Sequence, residues 1–340
     1  MKETIMDPAE IVKEIQIPLY DEIMEKIKSR YSKKGGKQYE KEIKSIELIY
    51  NIINSKTESI VELEKMLKKL HNFYWGLIEA NYDKKKIFES IECIKKSRFF
   101  VRKFWVDYRN KILASDTPKE MRMLSREARG RMISSIKKCS KSLEYLRNLV
   151  ITIMSFPGLD PSRKTLIIAG PPNAGKSTIV SSITNANTKV ASYPFTTKEI
   201  IIGHLEYDKN NVIQIVDTPG LLDRSINEMN EIEKKAISAL THLDGIIIFI
   251  LDPSKDAYMP LEEQFNIINN IKKLIINKKI ILIINKIDLL NDNELKALDH
   301  LLNEYLEKLN IKEFYKISAL DKKILLNTIN NIVKSSLLVS

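Results

Sequence analysis

The residues Gly170-Pro171-Pro172-Asn173-Ala174-Gly175-Lys176-Ser177 reproduce the pattern G-x-x-x-x-G-K-[ST] in full. Such residues at such spacing bind phosphate. Glycines let successive N–H groups curl around oxygens, and the helix N-terminus behind them adds partial positive charge. Lys176 is expected to reach the β- and γ-phosphates and to act in catalysis, and Ser177 to ligate Mg²⁺. Asn173, Ala174, Gly175 and Thr178 complete the expected phosphate contacts. The loop follows the apolar run Leu166 to Ala169 and opens into the helix-compatible segment Thr178 to Ala186, which is the strand–loop–helix context the chemistry needs.

The base is read elsewhere. The run Ile280 to Ile284 looks like a buried parallel strand and ends in Asn285-Lys286-Ile287-Asp288, an N-K-x-D pattern. The Asp288 carboxylate can accept from N1–H and the exocyclic amine of guanine, whereas adenine leaves it facing an acceptor. Lys286 lies along the base plane in this reading, and Asn285 ties the loop to the phosphate loop. Ser318-Ala319-Leu320, after the strand-like Phe314 to Ile317, fits a second base-contacting loop that works through backbone.

Between these elements Val212 to Val216 runs into Asp217-Thr218-Pro219-Gly220. Asp217 is expected to hold Mg²⁺ through water, and the Gly220 N–H to sense the γ-phosphate. Tyr193-Pro194-Phe195-Thr196-Thr197-Lys198 is the candidate first switch, with Thr197 the Mg²⁺-contacting threonine and Thr196 its alternative. Leu221 stands where many GTPases carry a glutamine that orients the attacking water, and an apolar side chain cannot do this. Hydrolysis then needs a partner, the substrate's own oxygens or a monovalent cation. Asn173 either shapes its loop or ligates K⁺.

Five elements in this order require strands whose C-terminal ends share one edge, as in a doubly wound, mostly parallel sheet. Upstream of Pro157 the pattern is helical. Asp7-Pro8 starts a helix, Pro18 ends or kinks it and Gly35-Gly36 break the next. A long stretch runs from about Lys37 toward Asn81, with an interruption near Ser55 to Thr57, and Asp83 caps a helix through Leu113. Thr117-Pro118-Lys119-Glu120 carries a capping-box signature. The helix it opens shows a seam of Met132, Ile136, Cys139, Leu143, Leu146 and Val150, which needs partner helices. The expected fold is therefore α plus α/β: a basic helical bundle over 1–157, then a P-loop GTPase domain over 158–340.

Charge divides unevenly. Residues 1–160 hold 33 Lys and Arg against 23 Asp and Glu, so nearly all of the chain's +11 lies there. The densest part, 84–147, holds 19 basic and seven acidic residues. Arg122, Arg126 and Arg129 share a helical face, and Lys95, Lys96, Arg98, Arg102, Lys103 and Arg109 surround Phe99, Phe100, Phe104, Trp105 and Tyr108. The aromatics are expected in the bundle core. The arginines are expected on phosphates, because a dense cationic array binds RNA by counterion release without reading bases. Cys93 and Cys139 stand alone with no C-x-x-C, so neither a disulfide framework nor a zinc site is expected. The longest apolar run, Gly245 to Leu251, is far short of a membrane span, and no signal-like start is present. The expectation is a soluble, intracellular protein.

Leu159 to Leu166, Tyr193 to Lys198, Gly203-His204, Asp217 to Leu222, Ala239 to Leu243 and Asp252-Pro253-Ser254 resemble the nucleolar GTP-binding protein family, a branch of the Obg-related GTPases. Arg126 to Arg131 and Lys141 to Leu146 resemble that family's helical domain. The resemblance implies a GTPase using Mg²⁺ and GTP; turnover is expected to be slow, because positioning and charge are incomplete without a partner or a cation, K⁺ being the candidate at Asn173. It also implies action in large-subunit assembly, with the pre-ribosome, rRNA and ribosomal or assembly proteins as partners. The hydrophobic residue at Leu221 is itself a family trait. The phosphate loop departs mildly, reading Pro171-Pro172-Asn173-Ala174 where relatives often have tyrosine-proline-asparagine-valine. The sequence ends at Ser340, soon after its last helix, so a form without the long C-terminal extension of eukaryotic members is expected. The expectation is an archaeal-type, cytoplasmic, ribosome-associated monomer. An RNA-anchored placeholder that hardly hydrolyses GTP is the alternative, and a GTPase on anionic membrane is a weaker one.

Overall fold

The computed structural model describes residues 7–30, 37–184, 188–208, 211–223 and 226–337. Eight helices come first: α1 (Pro8–Val12), α2 (Tyr20–Arg30), α3 (Gln38–Lys56), α4 (Ser59–Lys68), α5 (Asn72–Glu79), α6 (Lys84–Leu113), α7 (Pro118–Lys137) and α8 (Ser140–Met154). The sheet portion follows as β1 (Thr165–Ala169), α9 (Lys176–Ile183), β2 (Lys189–Ser192), β3 (Glu199–Glu206), β4 (Val212–Asp217), α10 (Glu231–Ser238) and β5 (Gly245–Leu251). It ends with α11 (Leu261–Leu274), β6 (Ile280–Ile284), α12 (Asp292–Lys308), β7 (Phe314–Lys316) and α13 (Lys322–Ser336). The Gly35-Gly36 break and the end of the Thr178 to Ala186 segment fall outside the described residues.

Two compact units result. One is all helical and spans Pro8–Leu70 and Tyr82–Ser155; the other holds Phe156–Ser340 together with His71–Asn81. A single split at 157 therefore omits one excursion, because α5 leaves the bundle for the sheet unit. The cause is composition: Phe73, Tyr74, Trp75, Leu77 and Ile78 are all buried, so of this short helix only Asn72 and Glu79 at its ends are exposed. It closes on the segment after α10, and a Cβ at Gly76 would stand 2.9 Å from the Ala239 Cβ. The Tyr74 hydroxyl donates to the Leu159 carbonyl, and its ring stacks on Phe156.

Within the helical unit, Asp83 caps α6 through the Lys85 and Lys86 amides, and Thr117 caps α7 through the Glu120 amide. The apolar seam is buried from Met132 to Val150, yet it runs along two helices, not one. The break falls at Cys139, where the Cys139 amide bonds the Ile136 carbonyl in a tighter turn. Cys139 pairs with Cys93 in a disulfide, contrary to the expectation from spacing. The two are 46 residues apart on neighbouring elements, so only packing brings their Cα atoms to 6.0 Å. No helix among the described residues is long and apolar enough to cross a membrane.

The other unit is built on a seven-stranded sheet of order β2-β3-β4-β1-β5-β6-β7. Strands β4, β1, β5, β6 and β7 run parallel, and β2–β3 and β3–β4 pair antiparallel. Strands β1 and β6 are buried along their whole length, as unbroken aliphatic runs require. The strand order reverses around β1, which places a crevice at its C-terminal end.

Candidate functional site

The phosphate loop occupies that crevice, running from β1 into α9. Gly175 caps α9 at φ +98°, and a Cβ there would lie 2.3 Å from the Asn285 side-chain nitrogen. Both the left-handed backbone and the close approach demand glycine. Lys176 is buried, and its Nζ donates to the Gly170 and Pro171 carbonyls at 2.7 and 2.8 Å. An ammonium has three donors, so one remains for a phosphate oxygen. Burial lowers the Lys176 pKa, against which the Asp223 and Asp217 charges act. Ser177, Thr178 and Asn173 are exposed at the mouth, Asn173 at φ +62°, and Ala174 is buried.

Asp217, at the end of β4, is fully buried, and neither carboxylate oxygen makes a well-formed hydrogen bond. Burial pushes its pKa up, and the Lys176 charge and the Thr218 amide offset this only in part. An orphaned buried carboxylate is costly unless an ion or ordered water meets it. An unpartnered carboxylate together with an exposed Ser177 hydroxyl at the start of α9 is an all-oxygen donor set that suits hydrated Mg²⁺. Thr218 instead faces inward, donating to the Ile168 carbonyl at 2.8 Å. Leu221 and Leu222 are buried, so the side chain at the glutamine position is withdrawn from solvent.

The candidate switch 193–198 is a hairpin loop between β2 and β3. Tyr193 is buried and donates to the Ala236 carbonyl at 2.8 Å. The Thr196 hydroxyl is used inside the loop, bonding the Tyr193 carbonyl and the Lys198 amide. Thr197 is exposed. Phe195 sits at φ +61°, a strained place for a bulky residue and a mark of a loop held under constraint. The Lys198 side chain lies over Gly220, whose N–H is held by Asp223 at 2.8 Å.

Asn285 is the buried hub of the base-side loops. Its Nδ2 donates to the Ala174 carbonyl at 2.8 Å, and its Oδ1 accepts from the Ala319 amide at 2.8 Å. Lys286 adopts φ +58° and pairs with the buried Asp252 carboxylate, which also accepts from Ser254. Asp252 was not among the expected site residues, though its D-P-S triplet was the available signal. Asp288 and Leu320 are exposed, and Ser318 is half-buried.

The helical unit sorts the cationic array. Lys95 pairs with Glu64 at 3.0 Å, and Arg98 bonds Asn54 at 3.0 Å with its other terminal nitrogen buried, so both are internal links. Lys96, Arg102, Lys103, Arg109, Arg122 and Arg126 are exposed, while Arg129 turns back to the Ser125 carbonyl. The aromatics divide too. Trp105 stacks on Tyr50 and Tyr108 is buried, but Phe99 is 64% and Phe100 45% exposed, against the expectation of a uniform core. Phe100 and Phe104 line a groove of about 810 Å³ with Gly130, Arg131, Lys96 and Lys138.

Two family descriptions match. Residues 13–160 match the NOG1 N-terminal helical domain, and residues 165–286 match the 50S ribosome-binding GTPase description. Nucleolar GTP-binding protein 1 of Caenorhabditis elegans is 33% identical over 252 residues, covering 74% of this chain and 37% of that protein. The Drosophila melanogaster protein of the same name is 35% identical over 242 residues, covering 71% and 37%. That of Saccharomyces cerevisiae is 33% identical over 240 residues, again covering 71% and 37%. The chain thus spans little more than a third of the length of these relatives.

Proposed function

The chain belongs to the nucleolar GTP-binding protein 1 family, and from that premise we propose that it binds GTP, hydrolyses it to GDP and phosphate, and acts as a switch in large-subunit assembly. The observation that carries this reading is the Asn285 bridge. One carboxamide holds the phosphate loop to the base-side loops, so phosphate grip and guanine recognition share a support.

In this reading Asp288 selects guanine, and Lys286, steadied by Asp252, flanks the base. Lys176 is already oriented by two carbonyls, so it need not reorganise as charge builds on the γ-phosphate. Ser177, Thr197 and, through water, Asp217 would hold Mg²⁺, which when bound neutralises charge between the β- and γ-phosphates. Water attacks in line, and Thr197 with the Gly220 amide couples γ-phosphate occupancy to the two switch loops. Loss of that phosphate relaxes them. The exposed arginines and lysines of the helical unit take rRNA phosphates, with Phe99 and Phe100 available to unstacked bases. The protein works as a cytoplasmic, ribosome-associated monomer.

Buried Leu221 favours slow turnover and also supports a second reading, a GTP-dependent placeholder. Single-turnover hydrolysis with and without pre-ribosomal particles separates them: acceleration supports the switch, and none supports the placeholder. Rates in KCl and NaCl at equal ionic strength test Asn173 as a K⁺ ligand, and equal rates reject it.

A further inference from the structure

We propose that Asp223 is a resident anion at the γ-phosphate seat, holding the Gly220 amide until GTP displaces it and so setting the preference between GDP and GTP. The contact is direct: Asp223 Oδ2 accepts from the Gly220 N–H at 2.8 Å. That amide is the donor expected to report the γ-phosphate, and one N–H cannot serve two anions.

The rest of the surroundings place the same carboxylate toward the crevice. After burial, the Asp223 charge is the largest influence on Lys176, opposing the fall in its pKa. It also adds to the burial-driven rise at Asp217. Lys198 covers the other side, with its Cδ 2.9 Å from where a Gly220 Cβ would stand. The groups facing Asp223 are thus those expected to meet the terminal phosphate and its metal. Asp223 is itself half-buried, so solvent screens it only in part.

The consequence follows from charge. GDP has no γ-phosphate and leaves the Asp223–Gly220 bond intact. GTP brings a dianionic group to the same donor, and the carboxylate must withdraw. GTP affinity is lowered by the work of displacing it and GDP affinity is not. Binding of GTP also frees the 221–223 turn, so the loop after β4 that begins at Asp217 moves as a direct result of γ-phosphate arrival. Asp223 here is a specificity-determining residue. Its role rests on the GTP-binding reading above.

The test uses fluorescent GTP and GDP analogues on the full chain at fixed Mg²⁺ and salt. Asp223→Asn keeps an oxygen acceptor for the Gly220 amide and removes only the charge. The GTP-to-GDP affinity ratio is expected to rise about tenfold, the order for deleting one charge beside a phosphate in a partly screened site. GDP affinity should rise less than GTP affinity, since its β-phosphate shares Lys176 but leaves the Gly220 amide alone, and an unchanged thermal melt reports intact folding. Asp223→Ala, which deletes charge and acceptor together, should move the ratio the same way. An unchanged ratio in both variants, with the unsubstituted protein binding both nucleotides, overturns the proposal and leaves the GTP reading standing. An unsubstituted protein that retains neither nucleotide overturns the GTP reading, and the Asp223 role with it.

Discussion

The Asn285 Nδ2 donates to the Ala174 carbonyl at 2.8 Å, joining residues 111 positions apart. The same side chain accepts from the Ala319 amide, so three loops meet on one buried carboxamide. Replacing it strands a carbonyl and an amide in a dry site, at about 1–3 kcal/mol for each group left unpaired. Asn285→Ala should weaken GTP binding by one to two orders of magnitude, about 1.4 kcal/mol per tenfold. Titration calorimetry checks this, and full affinity in the variant would contradict the hub role.

Asp217 gives a prediction with a definite sign. Burial raises its folded-state pKa above the ordinary value, so the unfolded chain gives up this proton more readily than the folded one. The stability it contributes is present below the unfolded pKa and is lost as pH rises through the folded pKa. Without nucleotide and Mg²⁺, Asp217→Asn should therefore melt higher than the unsubstituted protein at neutral pH. Adding Mg²⁺ and GTP should reverse the order, because only the carboxylate gains from the metal. Thermal melts in the two conditions decide it, and a variant that melts lower in both would contradict the account.

The cationic face makes its own demand. Arg102, Arg122 and Arg126 are exposed and hold no structural bond that would be lost, so replacing all three with glutamine should leave the melt unchanged. The plot of log affinity for structured RNA against log salt should flatten by about two units, since each phosphate contact releases less than one counterion. An unchanged slope would remove these arginines from the RNA interface.

The Cys93–Cys139 bridge can be tested by alkylation under denaturing conditions without reductant, which should find no reactive thiol. Reductant should then lower the stability of the helical unit by about 2–4 kcal/mol, as expected for a bridge that limits the unfolded chain. Two alkylated thiols in the native preparation would contradict the pairing.

What was legible in the chain was what depends on local spacing. The phosphate loop, N-K-x-D and D-x-x-G each lie at the end of an aliphatic strand, because the chemistry requires residue types at fixed offsets. Asp83 and Thr117 signalled their helices for the same reason. What escaped depends on packing between distant segments. Nothing near Cys93 announces Cys139, and nothing in the charge pattern separates Lys95 and Arg98, which face α3 and α4, from their exposed neighbours. The excursion of α5 was not separable in the sequence, which showed one long helical stretch from about Lys37 toward Asn81. Asp252 under Lys286 is a single contact across loops, and Asp223 on Gly220 is a contact inside one three-residue turn; no periodicity marks either.

The most direct measurement is calorimetry of nucleotide binding to the unsubstituted chain and to Asp288→Asn. GTP and GDP should bind and ATP should not, because only guanine offers the Asp288 carboxylate two donors. Asparagine presents one donor and one acceptor, so the variant should lose GTP affinity by about two to four orders of magnitude. It should gain affinity for xanthosine triphosphate, whose ring carries oxygen in place of the amine. ATP held as tightly as GTP, or a variant still preferring GTP, would contradict the account at its centre.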